Sequence, residues 1–167
     1  QWTGKMSATI IYDSTVDEFT HDGLFNKVKG KGNIAMVGFT TEGDVFGVYY
    51  SVAVRQQWGN FYDTNIFVFS FESHGRCTTP QRFVVKEGLN EKANLRYYKN
   101  SSNGFICFYV DDVGANFWLG DESSNSYCRD MSDGFEGIED TTLSGKNGGW
   151  REGPFHFCTR LVAIQLS

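Results

Sequence analysis

Charge of one sign, long apolar runs and paired cysteines are all missing from this chain, and each absence removes a class of function. Lysine and arginine number 15 against 20 aspartates and glutamates, a net charge of −5. The basic residues are spread out, with one local cluster at Lys27, Lys29 and Lys31. A nucleic-acid binder usually carries a basic excess or stripe, so that class starts low. No apolar run approaches the ~20 residues of a membrane-spanning helix. The four cysteines, Cys77, Cys107, Cys128 and Cys158, contain no Cys-x-x-Cys pair. Cys107 and Cys158 lie in strand-like runs, and free cysteine behaves there as a small buried hydrophobe. Free thiols in a reduced, cytoplasmic setting are therefore expected, with two disulfides as the alternative that an even count permits. Prolines number 2 against 19 glycines, which leaves turns and bulges to glycine. No repeat, low-complexity tract or interdomain linker interrupts the sequence, so one domain over residues 1–167 is expected. The chain opens on Gln1 rather than Met, which predicts a fragment of a larger protein or a processed form.

What is present is aromatic. Phe, Tyr and Trp make up 16% of the chain, and charged residues only 21%. That balance excludes a disordered chain and favours β-structure. In the stretch 43–71, Val45, Phe46, Val48, Tyr49, Tyr50, Val52 and Val54 form one β-branched and aromatic run. Residues 66–71 form a second, after a polar loop over 55–65. Runs this short and this β-branched, bounded by Gly, Asn and Asp, read as strands buried on both faces. Further strands are expected over 6–12, 33–40, 82–85, 95–98, 105–110, 115–119 and 155–166. A short helix is expected after an N-cap at Thr20, ending at Gly30 or Gly32. Residues 120–149, rich in Ser, Asp, Glu and Gly, read as surface loop with at most one helical turn. The order of elements predicts a mainly β (α+β) fold.

Several ordered blocks resemble the TLDc domain family. Ile11-Tyr12-Asp13-Ser14 with Phe19 and Phe25 resembles its opening strand and helix. Thr41 to Gly47 carries a Gly-x-x-Phe-Gly signature, and Ser51, Trp58, Tyr62 and Asp63 lead to the strand Phe67-Val68-Phe69-Ser70-Phe71. The match is strong over 10–72 and weaker over 105–128. The C-terminal strand departs from the family, with Val162 and Ile164 where a Glu and a Trp are usual. The resemblance implies a two-layer antiparallel β-sandwich with a few short helices and no agreed catalytic reaction. It also implies a non-catalytic adaptor role in the oxidative-stress response, with subunits of the vacuolar proton-pumping ATPase (V-ATPase) as partners.

The residues offer few constellations for chemistry. His21, His74 and His156 fall in loops or at element ends, outside any nucleophile motif such as Gly-x-Ser-x-Gly. Asp111 and Asp112, and Asp133 and Glu136 within an acidic run, are oxygen ligands of the kind Ca²⁺ takes. That run fails the EF-hand spacing, and no cofactor is expected. Lys27 to Gly32 lacks phosphate-loop spacing and suits a helix C-terminus. Trp58, Phe61 and Tyr62 suit a protein hot spot, a sugar-stacking platform or a loop folded over the core. The expected partner contacts are Trp58, Tyr62, Lys29 and Lys31. A carbohydrate-binding β-sandwich and a nucleic-acid-binding stress regulator are the alternatives.

Overall fold

The computed structural model of the chain describes residues 2–99, 104–120, 126–148 and 158–167. Two antiparallel sheets face each other across an apolar core. In chain order the elements are β1 (Ala8–Asp13), α1 (His21–Val28), β2 (Ile34–Thr40), β3 (Val45–Tyr50), β4 (Phe61–Tyr62), β5 (Phe67–Glu72) and β6 (Gln81–Val84). They continue with β7 (Ala93–Tyr97), β8 (Ile106–Val110), β9 (Asn116–Leu119), β10 (Tyr127–Arg129), α2 (Met131–Gly134) and β11 (Cys158–Leu166). The six-stranded sheet runs β1-β11-β2-β3-β5-β6 and the five-stranded sheet β10-β9-β8-β7-β4. This is the mainly β, two-layer arrangement that the sequence predicts.

Alternation explains which side chains meet. In β3, Phe46, Val48 and Tyr50 point inward, where Phe46 meets Phe117 at 5.6 Å and Tyr50 meets Phe108 at 6.2 Å. The hydroxyls of Tyr50 and Tyr97, both buried, pair at 2.6 Å, so neither polar group is left unsatisfied. Tyr49 and, across in β5, Phe67 and Phe69 point the other way, onto the outer face of the six-stranded sheet. Both faces of these strands are thus apolar, which is why their sequence is almost unbroken rather than alternating.

Helix α1 forms where its caps place it. Thr20 Oγ1 accepts from the Gly23 amide at 3.0 Å, and Gly30, at φ +74, ends the turn. Leu24, Phe25 and Val28 bury one stripe of it.

Three expectations change. β3 stops at Tyr50 rather than running to Val54, because the Asp63 carboxylate takes the amides of Ser51 and Val52 and the Ser51 hydroxyl. A buried carboxylate with several donors competes with a ladder and turns the chain. The loop over 55–65 contains β4, which pairs with β7. Over 126–148, the described part of the segment read as surface loop, α2 is the one helical turn expected, but β10 is a strand and Met131, Phe135, Ile138 and Leu143 are core residues. Among the described residues no helix is long and apolar enough to cross a membrane. His156 and the start of the expected last strand lie outside the described residues.

Candidate protein-contact face

The outer face of the five-stranded sheet is built by register. Leu95, Phe108, Phe117 and Cys128 align across β7, β8, β9 and β10 and face the core. The neighbouring residues align on the other side: Arg96, Cys107, Trp118 and Tyr127 form one cross-strand row. Tyr62, Asn94, Tyr109, Asn116 and Arg129 form the next. Phe117 and Trp118 therefore divide between core and outer face, as their alternation predicts.

The rings on this face touch in series. Trp58 meets the Tyr98 ring edge-on at 5.0 Å, Tyr98 stacks on Trp118 at 5.2 Å, and Trp118 stacks on Tyr127 at 5.5 Å. The Tyr98 and Tyr109 hydroxyls pair at 2.6 Å. Arg96 lies over the Tyr98 ring at 5.9 Å and donates to Asn60 Oδ1 at 2.8 Å. Such aromatic and cation–π contacts hold large side chains in one geometry before any partner arrives. Trp58 and Tyr62 are each 53% exposed. Trp58 holds φ +66, a region costly for a bulky residue, and its amide donates to the Tyr97 carbonyl at 2.8 Å.

The electrostatics keep the face neutral apart from a few fixed charges. Burial raises the Tyr98, Tyr109 and Tyr127 hydroxyls above the ordinary tyrosine value, and the Asp111 carboxylate that accepts from Tyr62 at 3.0 Å raises that one. Burial also pushes the Cys107 thiol well above the ordinary range, so it is not the thiolate that nucleophilic chemistry uses. Asn94 Oδ1 and Trp118 Nε1, in these two rows, are buried and have no hydrogen-bond partner among the described residues.

Residues 2–148 match the TLDc domain family. The chain belongs to the TLDc family. No curated protein matches it. Membership supports a role related to oxidative stress and suggests protein interaction.

Within this TLDc domain the Gly-x-x-Phe-Gly signature is structural. Gly43 turns the chain between β2 and β3 at φ +88, and a Cβ at Gly47 would lie 2.0 Å from the Met36 carbonyl oxygen. The C-terminal strand with Val162 and Ile164, beyond the matched residues, is β11, which lies between β1 and β2 in the six-stranded sheet.

The expected contact residues separate. Trp58 and Tyr62 are on the aromatic face, while Phe61 turns inward against the core. Lys29 and Lys31 lie off it, on the turn after α1, where Lys31 Nζ bonds the Lys27 carbonyl at 2.7 Å. Arg96, Asn94, Tyr98, Tyr109 and Tyr127 were not anticipated. Their signal was period-two alternation with Leu95, Phe108 and Cys128, readable once β7, β8 and β10 are placed.

The acidic candidates do not converge. Asp111 accepts from Tyr62, Asp112 pairs with Lys92 at 2.7 Å, Asp133 sits in α2, and the Glu136 amide bonds the Val84 carbonyl. Among the described residues, no group of three or more His, Cys, Asp or Glu is placed to hold a metal ion. His21 bonds the Gly104 carbonyl and packs edge-on to Phe105. Buried Asp44 takes His74 Nδ1 at 2.9 Å and Arg76 Nη2 at 2.6 Å. Arg76 also donates to the carbonyls of Thr142 and Leu143, so the cluster ties the β2–β3 turn to the segment after α2.

Proposed function

We propose that residues 1–167 form one non-catalytic protein-interaction domain, acting as an adaptor in a cytoplasmic oxidative-stress response. The carrying observation is that Trp58, Tyr62 and Arg96 share the outer face of the five-stranded sheet, over rings already packed against one another. Trp, Tyr and Arg are the residue types that concentrate binding energy at interfaces. Pre-packed rings lower the ordering cost of association. Family membership supports the stress setting, and the adaptor role follows from what TLDc resemblance implies.

The finer proposal is that the partner is a subunit of the vacuolar proton-pumping ATPase. Purified peripheral subunits of that pump would be titrated against the wild-type domain and against Trp58→Ala and Tyr62→Ala. Saturable binding that weakens at least about tenfold in each variant, near 1.4 kcal/mol, is the expected result. Binding that is absent, or unchanged in both folded variants, would remove the pump or the face respectively. Lys29→Glu and Lys31→Glu serve as off-face controls and are expected to bind as the wild type does.

A further inference from the structure

The opposite side of the molecule holds a second feature, independent of the contact face above. The outer face of the six-stranded sheet carries an apolar cluster of its own. Val37, Tyr49, Phe67, Phe69 and Val162 make a buried cluster there, and Phe71 continues it at 47% exposure. An antiparallel sheet usually turns one face to water. Here part of that face is covered by the chain's own start. Met6 and Ser7 donate to the Ser167 carbonyl at 2.8 and 2.9 Å, beside the end of β11. Gly4, at φ +69, then reverses the chain, and Trp2 is set down on the sheet.

Trp2 stacks on Phe71 at 6.0 Å with the planes 13° apart, and meets Phe67 edge-on at 6.3 Å. Its carbonyl accepts from Arg82, whose guanidinium lies 5.6 Å over the Phe67 ring. Arg82 faces Phe69 across the β5–β6 pairing. One aromatic anchor and one polar contact to its main chain make up this seat. The seat is longer than its occupant. Hollows of about 670 and 650 Å³ flank it, and Trp2, Thr3, Tyr49 and Phe67 line both. The tryptophan thus divides one groove in two.

We propose that this groove is a docking site for an extended segment of a partner protein that carries a tryptophan, and that Trp2 occupies it as an internal competitor. The occupant is inferred from the one already seated: an indole for the Phe67–Phe69–Phe71 floor, and a main-chain carbonyl for Arg82. The groove on either side of Trp2 accepts the residues flanking that anchor. Because the competitor is intramolecular, apparent affinity for a partner falls by the fraction of time the seat is open.

The test uses an acetylated, fluorescein-labelled peptide of residues 2–7, Trp-Thr-Gly-Lys-Met-Ser, and a control with alanine in place of the tryptophan. Fluorescence polarisation is read on the wild type, on Trp2→Ala, and on Gly4→Val. The last keeps Trp2 but strains the reversing turn, since the glycine φ disfavours a β-branched residue while a Cβ there meets no neighbour. Trp2→Ala is expected to bind the tryptophan peptide at least about tenfold tighter than the wild type. Gly4→Val should move the same way, Arg82→Ala in the Trp2→Ala background should reverse the gain, and the alanine peptide should bind none of them. Equal binding of the two peptides, or no gain in either folded variant, would overturn the proposal. So would self-association of Trp2→Ala on size exclusion that excess peptide does not reverse, which would assign the groove to a second copy of the chain.

Discussion

Gly47 shows how one residue can be fixed by packing alone. A Cβ there would come within 2.0 Å of the Met36 carbonyl oxygen and 2.7 Å of the Phe69 ring. The obstruction on one side is backbone, which a rotamer change cannot relieve. Gly47→Ala is expected to destabilise the fold by about 3 kcal/mol, the upper end of overpacking costs, read as a shift in urea midpoint with unchanged slope. A second residue-scale expectation concerns pH. Arg160 bonds both oxygens of Asp13, and Thr15 adds its amide at 3.1 Å and its hydroxyl at 2.8 Å. The Arg160 guanidinium, chiefly, holds the Asp13 carboxyl well below the usual carboxylate range. A folded-state value depressed in this way contributes stability that is complete above the unfolded value, about pH 4, and is lost as the pH falls towards the folded one. Asp13→Asn should therefore be less stable than the wild type at pH 7, with the gap closing below about pH 4. A gap that stays constant from pH 7 to pH 2 in urea titrations would mean that the ion pair contributes nothing.

At the scale of elements, the segment after β10 carries more of the core than its composition suggests. Met131 is fully buried at the start of α2, and Phe135 extends the same packing while bridging to Val85. Met131→Ala is expected to cost about 2–5 kcal/mol by urea denaturation, whereas a surface-loop substitution costs a few tenths. This segment was illegible in the sequence because its anchors are sparse among Asp, Ser and Gly: Met131, Phe135 and Ile138 stand at i, i+4 and i+7, a helical spacing, yet the helix covers only Met131–Gly134 and Leu143 falls outside that series. β2, β3 and β5 were legible because two apolar faces leave an unbroken β-branched run. Helix α1 was legible because its cap, stripe and terminating glycine agree. The candidate face was half legible. Trp58 and Tyr62 stand out in a polar loop, but Arg96 and Tyr98 become face residues only when β4 pairs beside them, a tertiary event. Lys29 and Lys31 drew attention by charge, and the structure uses that neighbourhood to finish a helix.

At the scale of the whole molecule, two outer faces flank one core, and the four cysteines sample these environments differently. Cys128 and Cys158 lie in the core between the sheets, Cys107 is buried in the row beneath the aromatic face, and Cys77 is partly exposed. Cys77, Cys107 and Cys128 are free thiols. Burial pushes Cys107 and Cys128 above the ordinary thiol range, so at pH 8 they stay protonated and unreactive even where reagent finds them. Mixing the native domain with an aromatic disulfide reagent at pH 8 should label one thiol, Cys77, in the fast phase. The other three should follow at least about a hundredfold more slowly, at the rate of the opening that exposes them. In denaturant all four should react together. Cys77→Ser should abolish the fast phase and leave the slow one unchanged. A fast phase of two or more thiols in the folded protein would show that a sheet opens locally, and mass spectrometry of the labelled peptides would identify whether it is the five-stranded sheet through Cys107 or the core through Cys128 and Cys158.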